Sequence, residues 1–412
     1  MVAKASESPR AARPLLTFVA AGCLLAGCGG GGTAASDDSR EDTCPRPPGD
    51  ADLIRSARPS ATRFAGDAHV GPLRWVAEHR VLEGYAAVGT PRNGVVPVTG
   101  GSAPESDYGA PTREHLGVLS LRNGSLLWRR PGTFDSGIRQ DAPSGGVLTA
   151  GSRWTDDGAF DLRTGRTLRC GLPPLRHAFG DGTAVSVTRS GALTRLRLRD
   201  GAQLWSRPAT HPYTVVKTGD GVAAGTTGAN GGVTDSIGNV GVHRLSDGRP
   251  LWDVTGRALL GVASGRVLLA DRNHVTGHRA RDGKKLWSQP LRWGADASYT
   301  LAGGRLLVAA QGRVTAYRTS DGTVAWDKPT GELPDLTPSA SSGGLVYAPV
   351  RERNGLHVID PRRGTIDRTL TGVVGGTYNR DVAAGEGVLV VQDGRRTLAF
   401  TLPRQGLRAT AP

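Results

Sequence analysis

A short phrase recurs along the 412-residue chain: Asn, Thr or Asp stands before a Gly, and a Trp sits four places after that Gly. It reads Arg-Asn-Gly ending at Trp128, Arg-Thr-Gly ending at Cys170, and Arg-Asp-Gly ending at Trp205. Further copies end at Trp252, Trp287 and Trp326, and a decayed one surrounds Gly364. From Gly124 to Gly364, six intervals cover 240 residues, or 40 per unit. Regular recurrence at that period selects a repeat architecture, in which one supersecondary unit is copied and stacked.

Inside a unit the pattern is all-β. In Gly304–Pro329, an apolar run at Leu306–Ala310 meets a Gln-Gly turn, and an alternating run at Val314–Arg318 leads into Asp321-Gly322. Gly accepts a positive φ and Asp or Asn tolerates one, so these dipeptides suit tight hairpin turns. A large Gly and Pro content, 60 and 26 residues, fits many short strands and disfavours helix interiors. Four-stranded units of about 40 residues are propeller blades. The last hairpin, Gly387–Phe400, lacks a Gly-x-x-x-Trp strand, whereas Gly71–Trp75 supplies one before the first complete unit. The expectation is an all-β, eight-bladed β-propeller, with seven blades as the alternative. Its ring would close when the N-terminal strand joins the C-terminal blade. The recurring Trp75, Trp128, Trp205, Trp252, Trp287 and Trp326 are expected to fill the wedges between blades, each indole N–H finding a backbone carbonyl.

The N-terminus has a different character. Lys4, Arg10 and Arg13 precede the apolar run Leu15–Cys28, a charged and then an apolar region too short for a convincing membrane span. Its end, Leu-Ala-Gly-Cys at Leu25–Cys28, resembles the lipobox of bacterial lipoproteins, which implies cleavage before Cys28 and lipidation of its thiol. The expected organisation is a signal peptide over 1–27, a flexible tether over 28–60, a propeller over 61–404 and a disordered tail over 405–412. The tether is rich in Gly, Ser, Asp and Pro and cannot bury enough apolar surface to fold. Cys44 and Cys170 suggest a disulfide in an oxidising exterior, although Cys170 also reads as a small core residue.

The repeat, with its Asp/Thr-Gly turn and Leu-Trp strand over about Gly71–Leu402, resembles the PQQ-like propeller repeat of quinoprotein alcohol dehydrogenases and BamB-like assembly lipoproteins. Arg-, Ala- and Gly-rich usage beside the lipobox resembles an actinobacterial lipoprotein. That resemblance implies a protein lipid-anchored at the outer face of the cytoplasmic membrane. The quinoprotein members bind PQQ and a calcium ion. This chain shows no vicinal Cys-Cys pair and no acidic cluster in the repeats matching their calcium ligands, so no cofactor and no metal are expected.

No other catalytic constellation emerges. His79, His115, His177, His211, His243, His274, His278 and His357 are spread over different units, without an HExxH or GxSxG motif. The formal charge of +14 can attract anionic lipid or envelope polymer, while export separates that surface from nucleic acid. Long excursions at Thr90–His115 and Thr226–Asn239, with a shorter one at Arg351–Gly355, would decorate one rim. Tyr108, Arg113, Arg351 and Arg353 are the candidate rim-binding residues. The resulting expectation is a monomeric, non-catalytic binding or interaction scaffold with an unknown protein or envelope partner. The alternatives are a PQQ-dependent oxidoreductase and a sensor of anionic envelope polymer or small ligand.

Overall fold

The computed structural model describes residues 64–78, 86–100, 115–131, 146–150, 157–172, 175–178, 181–187, 191–208, 214–225, 237–291, 297–337, 339–350, 354–374, 380–393 and 396–403. The secondary structure there is all strand, paired antiparallel into seven sheets. The first contains Ala86–Val88, Val95–Gly100, His115–Ser120 and Leu126–Pro131. The second has three strands, Val147–Ala150, Asp157–Asp161 and Thr167–Leu172. The third runs from Leu175–Ala178 to Gln203–Arg207, and the fourth joins seven strands from Thr214–Thr218 to Lys285–Pro290. The fifth spans Ser298–Ala302 to Val324–Pro329, and the sixth Ala340–Ser342 to Ile366–Thr369. In the seventh, Arg380–Gly385, Val388–Asp393 and Arg396–Thr401 are joined by Leu73–Glu78.

This corrects the expectation of eight four-stranded blades closed into a ring. Among the described residues no sheet is closed into a ring, and the sheets are neither eight in number nor uniform in size. The clearest departure is Pro250–Ala263, a continuous 14-residue strand. Its first half pairs with Gly238–Arg244 and its second half with Arg266–Ala270. The intervening sequence Asp253–Leu259 contains no Pro and only one glycine, Gly256 at φ +68°. The strand runs on where the period places a unit boundary, with an irregularity in register at Gly256, and two units share one sheet. The pairing of Leu73–Glu78 with Arg396–Thr401, including Trp75 opposite Ala399, brings the two ends of the described chain together within one open sheet.

The middle strands are the most buried. Val388–Asp393 is buried throughout, and so are Val95–Gly100 and Gly221–Gly225. Strands covered on both faces read as continuous apolar runs, as these do. The Trp-bearing strand of a unit instead alternates, with Leu127, Leu204, Leu251 and Leu286 exposed immediately before Trp128, Trp205, Trp252 and Trp287. The N-terminal segment is fastened to the C-terminal sheets. Phe64 packs edge-on against Phe400, Asp67 accepts a bond from the Thr369 hydroxyl, and Tyr347 donates its hydroxyl to the His69 carbonyl.

Candidate functional site

The seven turn glycines of the repeat all adopt φ between +68° and +77°, the left-handed region where a Cβ is disfavoured. At six of them the absent Cβ is also required sterically. A Cβ at Gly124, Gly165, Gly248, Gly283, Gly322 or Gly364 would lie within 2.8 Å of an indole carbon of Trp75, Trp128, Trp205, Trp252, Trp287 or Trp326, respectively. Each indole lies on the turn that follows its own unit. Each Nε1–H donates to the carbonyl three residues before that turn glycine: Leu121, Leu162, Leu245, Ala280, Thr319 and Pro361, at 2.8–3.3 Å. One joint differs. Gly201 faces Arg169 and Leu172, because Arg169 occupies the tryptophan's sequence position, four residues after Gly165.

Buried histidines belong to the same framework. His278 contacts the turn carbonyl of Gly283 through Nδ1 at 2.9 Å and the Thr276 hydroxyl through Nε2 at 3.2 Å, and its ring stacks on Trp252. His243 reaches the Gly248 carbonyl at 3.3 Å from the equivalent position, five residues before the glycine. Desolvation by burial pushes both imidazoles below their usual pKa. His357, also buried, is shifted the same way, first by desolvation and then by Arg368.

Two grooves lie beside these joints. One, a cavity of about 540 Å3, is formed by the strand around Leu127 and Trp128 and by the turn Thr164–Arg166. Among the described residues it is lined by three arginines, Arg129, Arg130 and Arg166, and by no acidic residue. Arg130 donates through Nε to the Gly165 carbonyl at 3.0 Å, and its guanidinium carbon lies 4.8 Å from the Phe160 ring centroid, a cation–π arrangement. The other, about 520 Å3, lies near Leu251 and is lined by Arg244, Arg279 and Arg281 together with Asp220. There the arginines have carboxylate partners: Arg244 meets Asp247 at 3.3 Å, while Arg279 and Arg281 meet Asp282 at 3.1 and 3.7 Å.

The residues singled out from sequence fall unevenly. The six tryptophans occupy the joints just described. Cys28, Cys44, Tyr108, Arg113, Arg351 and Arg353 lie outside the described residues, as do His79 and His211. Cys170 lies in the strand Thr167–Leu172, and His274 is exposed at the start of His274–Arg279. Among the described residues, no group of three or more His, Cys, Asp or Glu could hold a metal ion. Sequence reasoning missed the Arg129–Arg130–Arg166 groove. The available signal was Thr164, which replaces the Asp before the turn glycine in four other copies.

The family model described as PQQ_2, outer membrane protein assembly factor BamB, matches residues 236–402. The chain carries a distant BamB-like propeller-repeat homology. Similar solved structures include BamB from Moraxella catarrhalis, at 14% identity and TM-score 0.52, covering 78% of this chain and 99% of that one. The computationally designed Ika8 protein is 13% identical with TM-score 0.56, over 78% of this chain and 98% of that one. Sqt1 from Saccharomyces cerevisiae is 12% identical with TM-score 0.58, over 84% and 100% respectively. No curated protein matches the chain. At these identities the likeness concerns fold, and function must be argued from sites.

Proposed function

We propose that the protein is a non-catalytic interaction scaffold, exported and held by lipid at the outer face of the cytoplasmic membrane. The observation that carries this reading is the distant homology of residues 236–402 to an assembly-factor repeat. Two further features support it. The repeated tryptophans, turn glycines and the histidines His243 and His278 are engaged in joining strands and sheets. The Leu25–Cys28 sequence resembles a lipobox, and two acyl chains on Cys28 would hold persistently, at about 0.8 kcal/mol per buried methylene. Tyr108, Arg113, Arg351 and Arg353, on sequence excursions between strands, are the proposed partner-contacting residues.

Two measurements test the reading. Metabolic labelling with an alkyne fatty acid should mark the wild-type protein and leave Cys28→Ala unmarked and released from the membrane fraction. Crosslinking in native membranes should recover a specific partner whose yield falls in Tyr108→Ala and Arg351→Ala. Labelling that persists without Cys28 would remove the anchor, and failure to recover any specific partner with any crosslinker would remove the scaffold.

A further inference from the structure

Among the described residues, eight clusters of buried apolar side chains pack the sheets, and seven of them contain an aromatic ring. The exception lies between the second and third sheets. It joins Ala159 and Leu172 of the second sheet to Ala184, Leu196 and Leu198 of the third sheet and its turn. The cause is one residue. Four places after Gly165, where six other copies carry Trp, stands Arg169, and it is exposed. A Cβ at Gly201 would meet Nε of Arg169 at 3.1 Å and Cδ2 of Leu172 at 3.3 Å, whereas the six indoles lie 2.4–2.8 Å from the equivalent position. This joint is not wedged by an indole.

Two hydroxyls supply a second, independent observation. Side chains alternate along a strand, so Thr149 shares a face with Val147 and Ser186 shares one with Ala184. Val147 and Ala184 both belong to this cluster, which places the two hydroxyls on the facing surfaces of the seam. Thr149 is 2% exposed and Ser186 0%, and neither Oγ1 of Thr149 nor Oγ of Ser186 has a hydrogen-bond partner. Thr194, directly opposite Ser186 in the third sheet, is by contrast satisfied by the Ser206 hydroxyl at 2.8 Å. A buried hydroxyl without a partner raises the energy of the closed arrangement and regains its bonds to water when the faces part. Opening here costs less on two counts, since no indole is withdrawn and two hydroxyls are rehydrated.

We infer that the face between the second and third sheets is the seam at which this fold opens, parting locally while the joints wedged by Trp stay closed. Local openings of a native protein are drawn from regions with few buried apolar contacts and low local stability. The seam is independent of the membrane anchor and of any partner.

Thiol labelling of single buried cysteines in the full-length chain reads the opening. Ala184→Cys puts a thiol on the seam. Ala309→Cys puts one in the matching strand of the fifth sheet, facing the sixth, at a joint that holds Trp326. Both alanines are 0% exposed. Label at each position is counted by peptide mass spectrometry, so the native cysteines are read separately. Ala184→Cys should react about tenfold faster than Ala309→Cys, with a weaker urea dependence than global unfolding. Adding Arg169→Trp should slow Ala184→Cys about tenfold and leave Ala309→Cys unchanged, because an indole then packs on Gly201. Thr149→Val with Ser186→Ala removes both unpaired hydroxyls without touching the turn and should also slow Ala184→Cys about tenfold. Equal rates at the two positions, or a rate at Ala184→Cys that follows global unfolding, would overturn the inference. An unchanged rate in either folded variant would do so as well, with circular dichroism establishing which variants are folded.

Discussion

Gly283→Ala and Gly265→Ala form a matched pair that isolates the energy of a joint. Both glycines sit in hairpin turns of the seven-stranded sheet, and both have φ +71°. They differ in what stands above them. A Cβ at Gly265 meets nothing within 4 Å, whereas one at Gly283 lies 2.7 Å from Cγ and Cδ2 of Trp252. The left-handed backbone alone costs an alanine about 1 kcal/mol. Forcing an extra methyl under a packed indole adds about 1–3 kcal/mol. Gly265→Ala should therefore cost about 1 kcal/mol and Gly283→Ala about 2–4 kcal/mol. The comparison is read from midpoints of equilibrium urea unfolding followed by circular dichroism, provided that m is unchanged. In a Trp252→Ala background the difference between the two sites should collapse, since the clash partner is gone, and the double-mutant cycle gives the coupling directly. Equal losses at Gly283 and Gly265 would refute the argument that the indole makes this glycine obligatory. So would a difference that survives removal of Trp252.

Trp128→Phe keeps most of the aromatic surface but removes the bond to the Leu162 carbonyl, so thermal or urea unfolding should show a loss of about 1 kcal/mol. The buried imidazoles His243, His278 and His357 have folded pKa values lowered from 6.5, so the unfolded chain takes up protons first as pH falls. Stability should be fully present above that value and decline as pH falls through 6.5 toward the folded pKa values. Urea midpoints that stay level from about pH 8 to about pH 5 would contradict this sign. Glu386 accepts the backbone N–H groups of Asn93 and Gly94 at 2.6 and 2.9 Å, tying the last sheet to the first, and Glu386→Ala should accelerate amide exchange at those two residues. Because these bonds are exposed, the global stability should fall by about 1 kcal/mol or less.

Much of this architecture was legible in the chain itself. Asp-Gly and Asn-Gly turns and alternating apolar runs are governed by local sterics and by the two-residue period of a strand, so hairpins and their boundaries can be read from short windows. The same locality explains the errors. Nothing within Asp253–Leu259 shows whether the backbone turns or stays extended, because the outcome depends on two different neighbours, Gly238–Arg244 and Arg266–Ala270, bonding to one strand. The recurrence of Trp was plain, but its partners were not: each indole meets a turn some 28–46 residues away, in the following repeat unit. The role of Thr164 was equally hidden. In sequence it is one variable turn residue; in space, its hydroxyl donates to Asp161 Oδ1 beside a groove lined by Arg129, Arg130 and Arg166. The sequence alone determined that this protein is an all-β repeat chain with tight glycine turns, since those follow from backbone preferences. Tertiary structure decided how sheets divide and which glycines are locked under indoles, because those depend on distances between residues far apart in the chain.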